Sequence, residues 1–440
     1  MPTTSKKKRT QPRKGRRTAI VAGLRSPFVK SSTVFSKHTS LDLASRVVGE
    51  LLARTNLSPS EIDQVVYGQV VPNVAAPNIA REVVLATGMP HAVDAYSVSR
   101  ACATSTQAIV NGALAIENGA ADVVIAGGVE SLSKPPITFS DGFVQVLMKA
   151  NSARDTISKA KAFADLKLKD LAPVPPAIAE FSTGETMGQS AEKMAKLNGC
   201  TREEQDEIAL LSHQRAAKAW ENGVYEQEVM AVETGRQGDE PIAKDTMVRA
   251  DTSAEKLGKL RPVFDRKFGS VTAGNSSPLT DGASAVVLMS EAKAEALGLE
   301  PLAFVKSWGF AAIDPAWQLL LGPAFASPKA LDAAGMELND CDLIDMHEAF
   351  AAQIVSNVKM LESDTFAREY LGRSKAVGSI DMDKFNVHGG SISLGHPFAA
   401  TGARQALTMA NELKRRGGGT ALVTQCAAGG LGAALVLERD

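Results

Sequence analysis

Residues 94–128 and 386–430 are built to one plan, and that shared plan limits the folds open to the chain more than any other feature. In each, a short run enters a loop of small residues, a helical stretch follows, and a Val/Leu/Ile-rich run ends on paired glycines. Those endings are Ala126-Gly127-Gly128 and Ala428-Gly429-Gly430. Strands that are apolar on both faces and alternate with helices belong to layered α/β architecture. The intervening chain agrees. Residues 18–23 read as a buried strand, and 41–56 as a helix with Ala44, Val47, Val48, Leu51 and Leu52 on one stripe and Ser40 as N-cap. Strands are expected near 64–71 and 122–126, and a helix near 78–87. After Gly298 a second half opens with a strand at 303–308, a helix at 328–334 and a strand at 343–346. The side chains of the two halves differ, so the likeness is one of plan.

At 440 residues the chain exceeds one ordinary core, and two or three domains are expected. The formal charge of −1 hides an asymmetry: Lys6, Lys7, Lys8, Arg9, Arg13, Lys14, Arg16 and Arg17 carry +8, so the remainder carries −1 − 8 = −9. Residues 1–17 read as a disordered basic tail without aromatics interleaved for base stacking, which argues against nucleic-acid binding. Cys102, Cys200, Cys341 and Cys426 are far apart, with no CxxC pair and no zinc spacing, as in a reducing compartment. No apolar stretch follows the basic cluster, so no secretory signal is expected. The uncharged run 420–437 holds Gln425 and three glycines and reads as two buried strands. A cytoplasmic, bacterial-type setting is expected in preference to a mitochondrial one.

Between residues 132 and 260 the pattern changes. Lys149, Arg154, Lys159, Lys161, Lys167 and Lys169 alternate with Val144, Leu147, Phe163, Leu166 and Leu168 before a Pro173-Val-Pro-Pro176 break. This reads as an inserted, mostly helical segment whose basic amphipathic faces suit solvent, an anionic ligand, a partner or a membrane surface. The expected division is therefore 18–131 with 261–297, the insertion 132–260, and 298–440.

Reactive residues gather in the small-residue loops. Cys102 falls between a strand at 94–99 and a helix at 103–119 that Gly119 stops. There the free N–H groups and the dipole of the helix start favour a thiolate, the attacking species. In isolation a buried structural cysteine reads the same way. A thiol nucleophile needs a base and donors for developing oxyanions. His396, between Gly395 and Pro397, and His347, at a strand-to-helix junction, are the candidates for that base. Cys426 offers a second thiol, followed by small residues whose N–H groups can face a ligand oxygen.

Five stretches taken together resemble the ordered signatures of the thiolase family over residues 18–440. They are Ser99-Arg-Ala-Cys102-Ala-Thr-Ser-Thr-Gln-Ala, Gly274-Asn-Ser-Ser-Pro-Leu-Thr-Asp-Gly-Ala, His347-Glu-Ala-Phe-Ala-Ala-Gln, Gly389-Gly-Ser-Ile-Ser-Leu-Gly-His396-Pro and Cys426-Ala-Ala-Gly-Gly-Leu-Gly. The likeness is closest to the thiolase subunit of fatty-acid oxidation trifunctional complexes, because His-Glu-Ala-Phe stands where most thiolases carry Asn-Glu-Ala-Phe. The resemblance implies two similar α/β halves in five layers and a loop domain covering coenzyme A. It implies Cys102 as the acylated nucleophile, His396 as its activating base and Cys426 as acid and base. The N–H groups of Cys102 and Ala428 are the implied oxyanion donors, and Ser277 lies near the pantetheine arm. His347 replaces the Asn that positions a water, so it either holds that water or meets the thioester oxygen itself.

The implied activity is thiolytic cleavage of 3-ketoacyl-CoA, with CoA as substrate and no metal or redox cofactor. At least a dimer is implied, and residues 140–176 are expected to contact a hydratase/dehydrogenase subunit or a membrane. The alternatives are a biosynthetic acetoacetyl-CoA thiolase, a decarboxylating ketosynthase and a non-catalytic scaffold subunit. Cys426 speaks against the ketosynthase, and Cys102, His396 and Cys426 together speak against the scaffold.

Overall fold

The computed structural model describes residues 16–164, 166–174, 176 and 179–440. Its strands are β1 (Thr18–Arg25), β2 (Val29–Lys30), β3 (Gln64–Gly68), β4 (Asp94–Val98), β5 (Val123–Glu130), β6 (Thr280–Ser290), β7 (Ala303–Ala312), β8 (Leu343–Met346), β9 (Gly419–Ala427) and β10 (Leu431–Arg439). They run in the order β4-β3-β5-β6-β1-β7-β10-β9-β8, with β2 paired to β6. That order is one half-sheet written twice, in mirror sense. β3 pairs β5 in parallel as β8 pairs β9, while β6 joins β5 and β1 antiparallel as β10 joins β9 and β7. Phe385 stands in for β4 through a parallel bridge to Ile344. The halves meet where β1 and β7 pair through Thr18, Ala19 and Ile20.

Three cores separate the layers. Helices Thr104–Glu117 and Thr401–Arg416 lie between the half-sheets, with Ile109, Ala113, Leu407 and Ala410 packed against Val66, Val286, Val423 and Leu435. Helices Ser40–Thr55 and Ile79–Ala86 cover the outer face of the first half-sheet, and Gly322–Ala334 and Ala351–Leu361 that of the second. The result is five layers. Every residue of the helix from Thr401 to Leu413 is buried, including Arg404 and Gln405. Such groups are tolerated inside only when paired, and both reach Asp345.

Several expected boundaries shift for local reasons. The helix at 40–55 is capped by Thr39, not Ser40: the Thr39 hydroxyl accepts from Asp42 N–H at 3.1 Å and the Asp42 carboxylate accepts from Thr39 N–H at 2.8 Å. The helix expected to begin at Pro328 begins at Gly322, with Pro323 in its first turn and Pro328 inside it. Most of the expected tail, residues 1–15, lies outside the described residues. Its last two members are anchored: Arg16 pairs with Asp122, and Arg17 pairs with Asp440 at 2.7 Å and lies over Phe304. In the insertion, regular structure is helical (Asp141–Ser152, Thr156–Lys161, Met187–Leu197, Arg202–Glu221, Ala254–Gly258), separated by irregular runs such as 222–253.

Candidate active site

Cys102 sits on a strained turn between β4 and the helix that starts at Thr104. Ala101 has φ of 45°, a left-handed conformation unusual for alanine. Thr104 fastens this turn, its hydroxyl donating to Ala101 O at 2.7 Å and accepting from Arg100 N–H at 2.9 Å. The pull toward a thiolate expected from the helix start is opposed here. Burial pushes the Cys102 thiol up to about 12, against the pull of the Ala428 and Cys102 N–H groups, and Glu130 pushes it further. Desolvation outweighs the helix start, which lies two residues further on. At rest the group is a thiol.

The two histidines face it from the second half. His347 follows β8, and His396 follows the short helix Ser391–Leu394 and Gly395. Gly395 has φ of 109°, and a Cβ there would lie 2.6 Å from Thr280 Cγ2, so only glycine brings His396 this close to β6. Each imidazole rests its Nδ1 on a hydroxyl, His347 on Ser391 at 2.8 Å and His396 on Thr401 at 2.7 Å. The ring centroids are 4.1 Å apart, and both Nε2 atoms are buried without a protein partner. Cys102 Sγ and a nitrogen of each ring lie within 4.8 Å of one another. Among the described residues, this is the one Cys/His/Asp/Glu cluster compact enough to offer three donors to a metal ion, and the same atoms serve the chemistry below. Burial, then Arg404, pushes His396 down to about 3. Burial, His396 and Arg404 together hold His347 well below the usual imidazole range. Both rings are therefore neutral.

Carboxylates hold the loops in place. Glu348 is buried and accepts from Ser212 Oγ (2.6 Å), Asn386 Nδ2 (2.7 Å) and Ile392 N–H (3.1 Å). It thereby ties the insertion and the 386–396 loop to the end of β8. Glu130 accepts from Val70, Val71 and Ala399 N–H, joining the first half to the turn after His396. Cys426 lies in β9, where burial and then Cys102 push its thiol well above the ordinary value. Beyond it, Gly429 N–H donates to Glu180 of the insertion at 2.7 Å.

A cavity of about 210 Å3 opens between the insertion and the 273–278 loop, with Ile392 of the second half at its side, lined among others by His213, Arg249, Lys256 and Gly274. Ser276 and Pro278, on either side of Ser277, also line it, while Ser277 N–H donates to Ala349 O. The Arg249 and Lys256 cations suit the phosphates of an anionic ligand. Sequence reasoning missed Ser391, Thr401, Arg404, Glu130 and Glu180. Glu130 alone carried a usable signal, a carboxylate closing an apolar strand.

Residues 18–292 match the family description "Thiolase, N-terminal domain" and residues 299–439 "Thiolase, C-terminal domain". The chain is 56% identical over 426 residues to 3-ketoacyl-CoA thiolases of Yersinia enterocolitica and Yersinia pestis, covering 97% of this chain and 98% of theirs. The fold matches the crystal structure of Bacillus anthracis acetyl-CoA acetyltransferase at TM-score 0.81 and 34% identity, covering 96% of this chain and 98% of that one. It matches human mitochondrial 3-ketoacyl-CoA thiolase at TM-score 0.81 and 31% identity, covering 97% and 99%. Two consecutive family domains, a five-layered fold and a thiol facing two imidazoles place this chain in the thiolase family.

Proposed function

We propose that the chain is a 3-ketoacyl-CoA thiolase, an acetyl-CoA C-acyltransferase that shortens 3-ketoacyl-CoA in fatty-acid β-oxidation. The observation that carries this reading is the meeting of the Cys102 thiol with two buried, unpartnered imidazole nitrogens. Cys102 passes its proton to His396 Nε2 and its sulfur attacks the 3-keto carbon. The C2–C3 bond then breaks, its electron pair leaving on acetyl-CoA as an enolate that Cys426 protonates. Cys426 next takes the proton of an incoming CoA thiol, which attacks the acyl-cysteine while the N–H groups of Cys102 and Ala428 hold the oxyanion. Cys102 leaves the acyl group as a thiolate and recovers its proton from His396, so thiol and imidazole return to the neutral forms they hold at rest.

The long Yersinia match favours β-oxidation over a biosynthetic acetoacetyl-CoA enzyme, which the lower identity to the Bacillus acetyltransferase leaves as the second reading. The same Yersinia relatives support a bacterial cytoplasmic setting, and no helix among the described residues is long and apolar enough to cross a membrane. The cavity beside Ser277 fits the arm and phosphates of CoA, under the insertion 132–260. The halves are assigned as 18–131 with 261–297, and 298–440, in at least a dimer. Ile137, Phe139, Met148, Ile157 and Leu168 stand exposed beside the lysines of the insertion, which supports docking of a hydratase/dehydrogenase subunit or a membrane there. In the test, purified protein consumes a 3-ketoacyl-CoA when CoA is added, and Cys102→Ala abolishes this. Unchanged turnover in Cys102→Ala refutes the assignment.

A further inference from the structure

The two imidazoles share a site, yet the hydroxyls behind them have different surroundings. We propose that Ser391, oriented by Arg404, is a positioning residue that locks His347 in the tautomer carrying its proton on Nε2. His347 is then a hydrogen-bond donor to a substrate oxygen. The identity of that oxygen rests on the thiolase reading above; the tautomer does not.

Ser391 is fully buried, and its hydroxyl has one proton to place. Its side-chain contacts are His347 Nδ1 at 2.8 Å and Arg404 Nη2 at 3.5 Å. A guanidinium only donates, so His347 Nδ1 is the acceptor within reach for the serine proton. Buried hydroxyl protons are rarely left unpaired. Nδ1 therefore accepts, and the ring proton resides on Nε2, which is buried and free of protein partners.

Arg404 is itself held by Asp345, whose carboxylate is fixed in turn by a wider network. Asp345 Oδ2 at the end of β8 accepts from it at 3.3 Å, and Asp345 Oδ1 accepts from Gln405 at 2.6 Å. Gln405 in turn accepts from Gln425 of β9 at 2.7 Å, and Gln425 accepts from Thr106 of the other central helix at 2.8 Å. The guanidinium cannot swing away without breaking its bond to this fixed carboxylate, and its charge opposes a second proton on His347. The Arg404 charge lowers His396 as well, but Arg404 makes no hydrogen bond to Thr401, whose hydroxyl contacts His396 Nδ1 alone.

The test is selective 15N-histidine labelling of the whole protein without substrate, with His347 assigned by the signals lost in His347→Gln. The wild type should show a protonated Nε2 and an unprotonated, acceptor-type Nδ1 at His347. In Ser391→Ala those shifts should move toward a tautomer average, and kcat for thiolysis should fall about 10- to 100-fold. A wild-type His347 protonated on Nδ1, unmoved shifts in Ser391→Ala, or full kcat despite moved shifts would each overturn the proposal. Because the spectrum is read without substrate, absent thiolysis alongside the expected spectrum strikes the thiolase reading alone.

Discussion

Replacing Glu130 by Gln turns a buried ionisation into a measurable difference in stability. Glu130 closes β5 fully buried, its oxygens accepting from Val70 (3.1 Å), Val71 (3.0 Å) and Ala399 (3.3 Å). Burial pushes its pKa from the ordinary 4.5 up to about 7, the three N–H groups resist, and Asp281 adds to the rise. A raised value means the folded chain keeps this proton longer than the unfolded chain does. Its stabilising contribution is then full below the ordinary carboxyl range and is lost as pH rises through 7. Between pH 5 and pH 8 the loss comes to about 2.5 kcal/mol. Glu130→Gln keeps the shape and abolishes the titration, so the variant should gain that amount on the wild type across the interval. For a chain of this size the gain corresponds to about 3 °C in melting temperature. Thermal unfolding of both proteins at the two pH values gives the comparison. A difference that stays flat, or moves against the variant as pH rises, refutes the reasoning. The charge also reaches Cys102, whose thiol it pushes up, so iodoacetamide should alkylate Cys102 faster in the variant at pH 8.

Thr401→Val removes the hydroxyl behind His396 and should lower the rate of Cys102 acylation about 10- to 100-fold, read by mass spectrometry of the acyl-enzyme. Cys426→Ser should still form the acyl-enzyme yet lose turnover; normal steady-state rates would contradict its acid/base role. Glu348→Ala strips three donors of their acceptor and should destabilise the protein by about 3 kcal/mol or more, seen in urea unfolding. Glu180→Ala frees the Gly429 N–H; if that contact aims Ala428 at Cys102, kcat falls while the melting temperature holds.

What could be read from the sequence was what the chain writes locally. His396 and Cys426 announce themselves through glycine-rich neighbours that only a tight loop explains, Cys102 and His347 through their place at strand-to-helix junctions, and the paired half-plan foretold the layers. Residues that act across the fold left no such trace. Ser391 meets His347 from 44 positions away, and Glu180 meets Gly429 from 249 away. Arg404 and Gln405 make their helix look solvent-facing, although Asp345 lets it lie between two sheets. What opposes a thiolate at Cys102 is hidden in the same way, since a helix start is visible in a sequence and the depth of the surrounding protein is not.

The mirrored half-sheets carry a consequence for how such a site arises. Cys102 precedes one central helix and His396 the other, at corresponding places in two copies of one plan. A symmetric pair of identical halves would deliver the same side chain twice to a single point, giving two thiols or two imidazoles. Acid and base become distinct only once both copies share one polypeptide and can mutate separately. The antiparallel seam through Thr18, Ala19 and Ile20 joins two halves of one chain, and that shared chain is what permits the two faces of one reaction centre to be written in different residues.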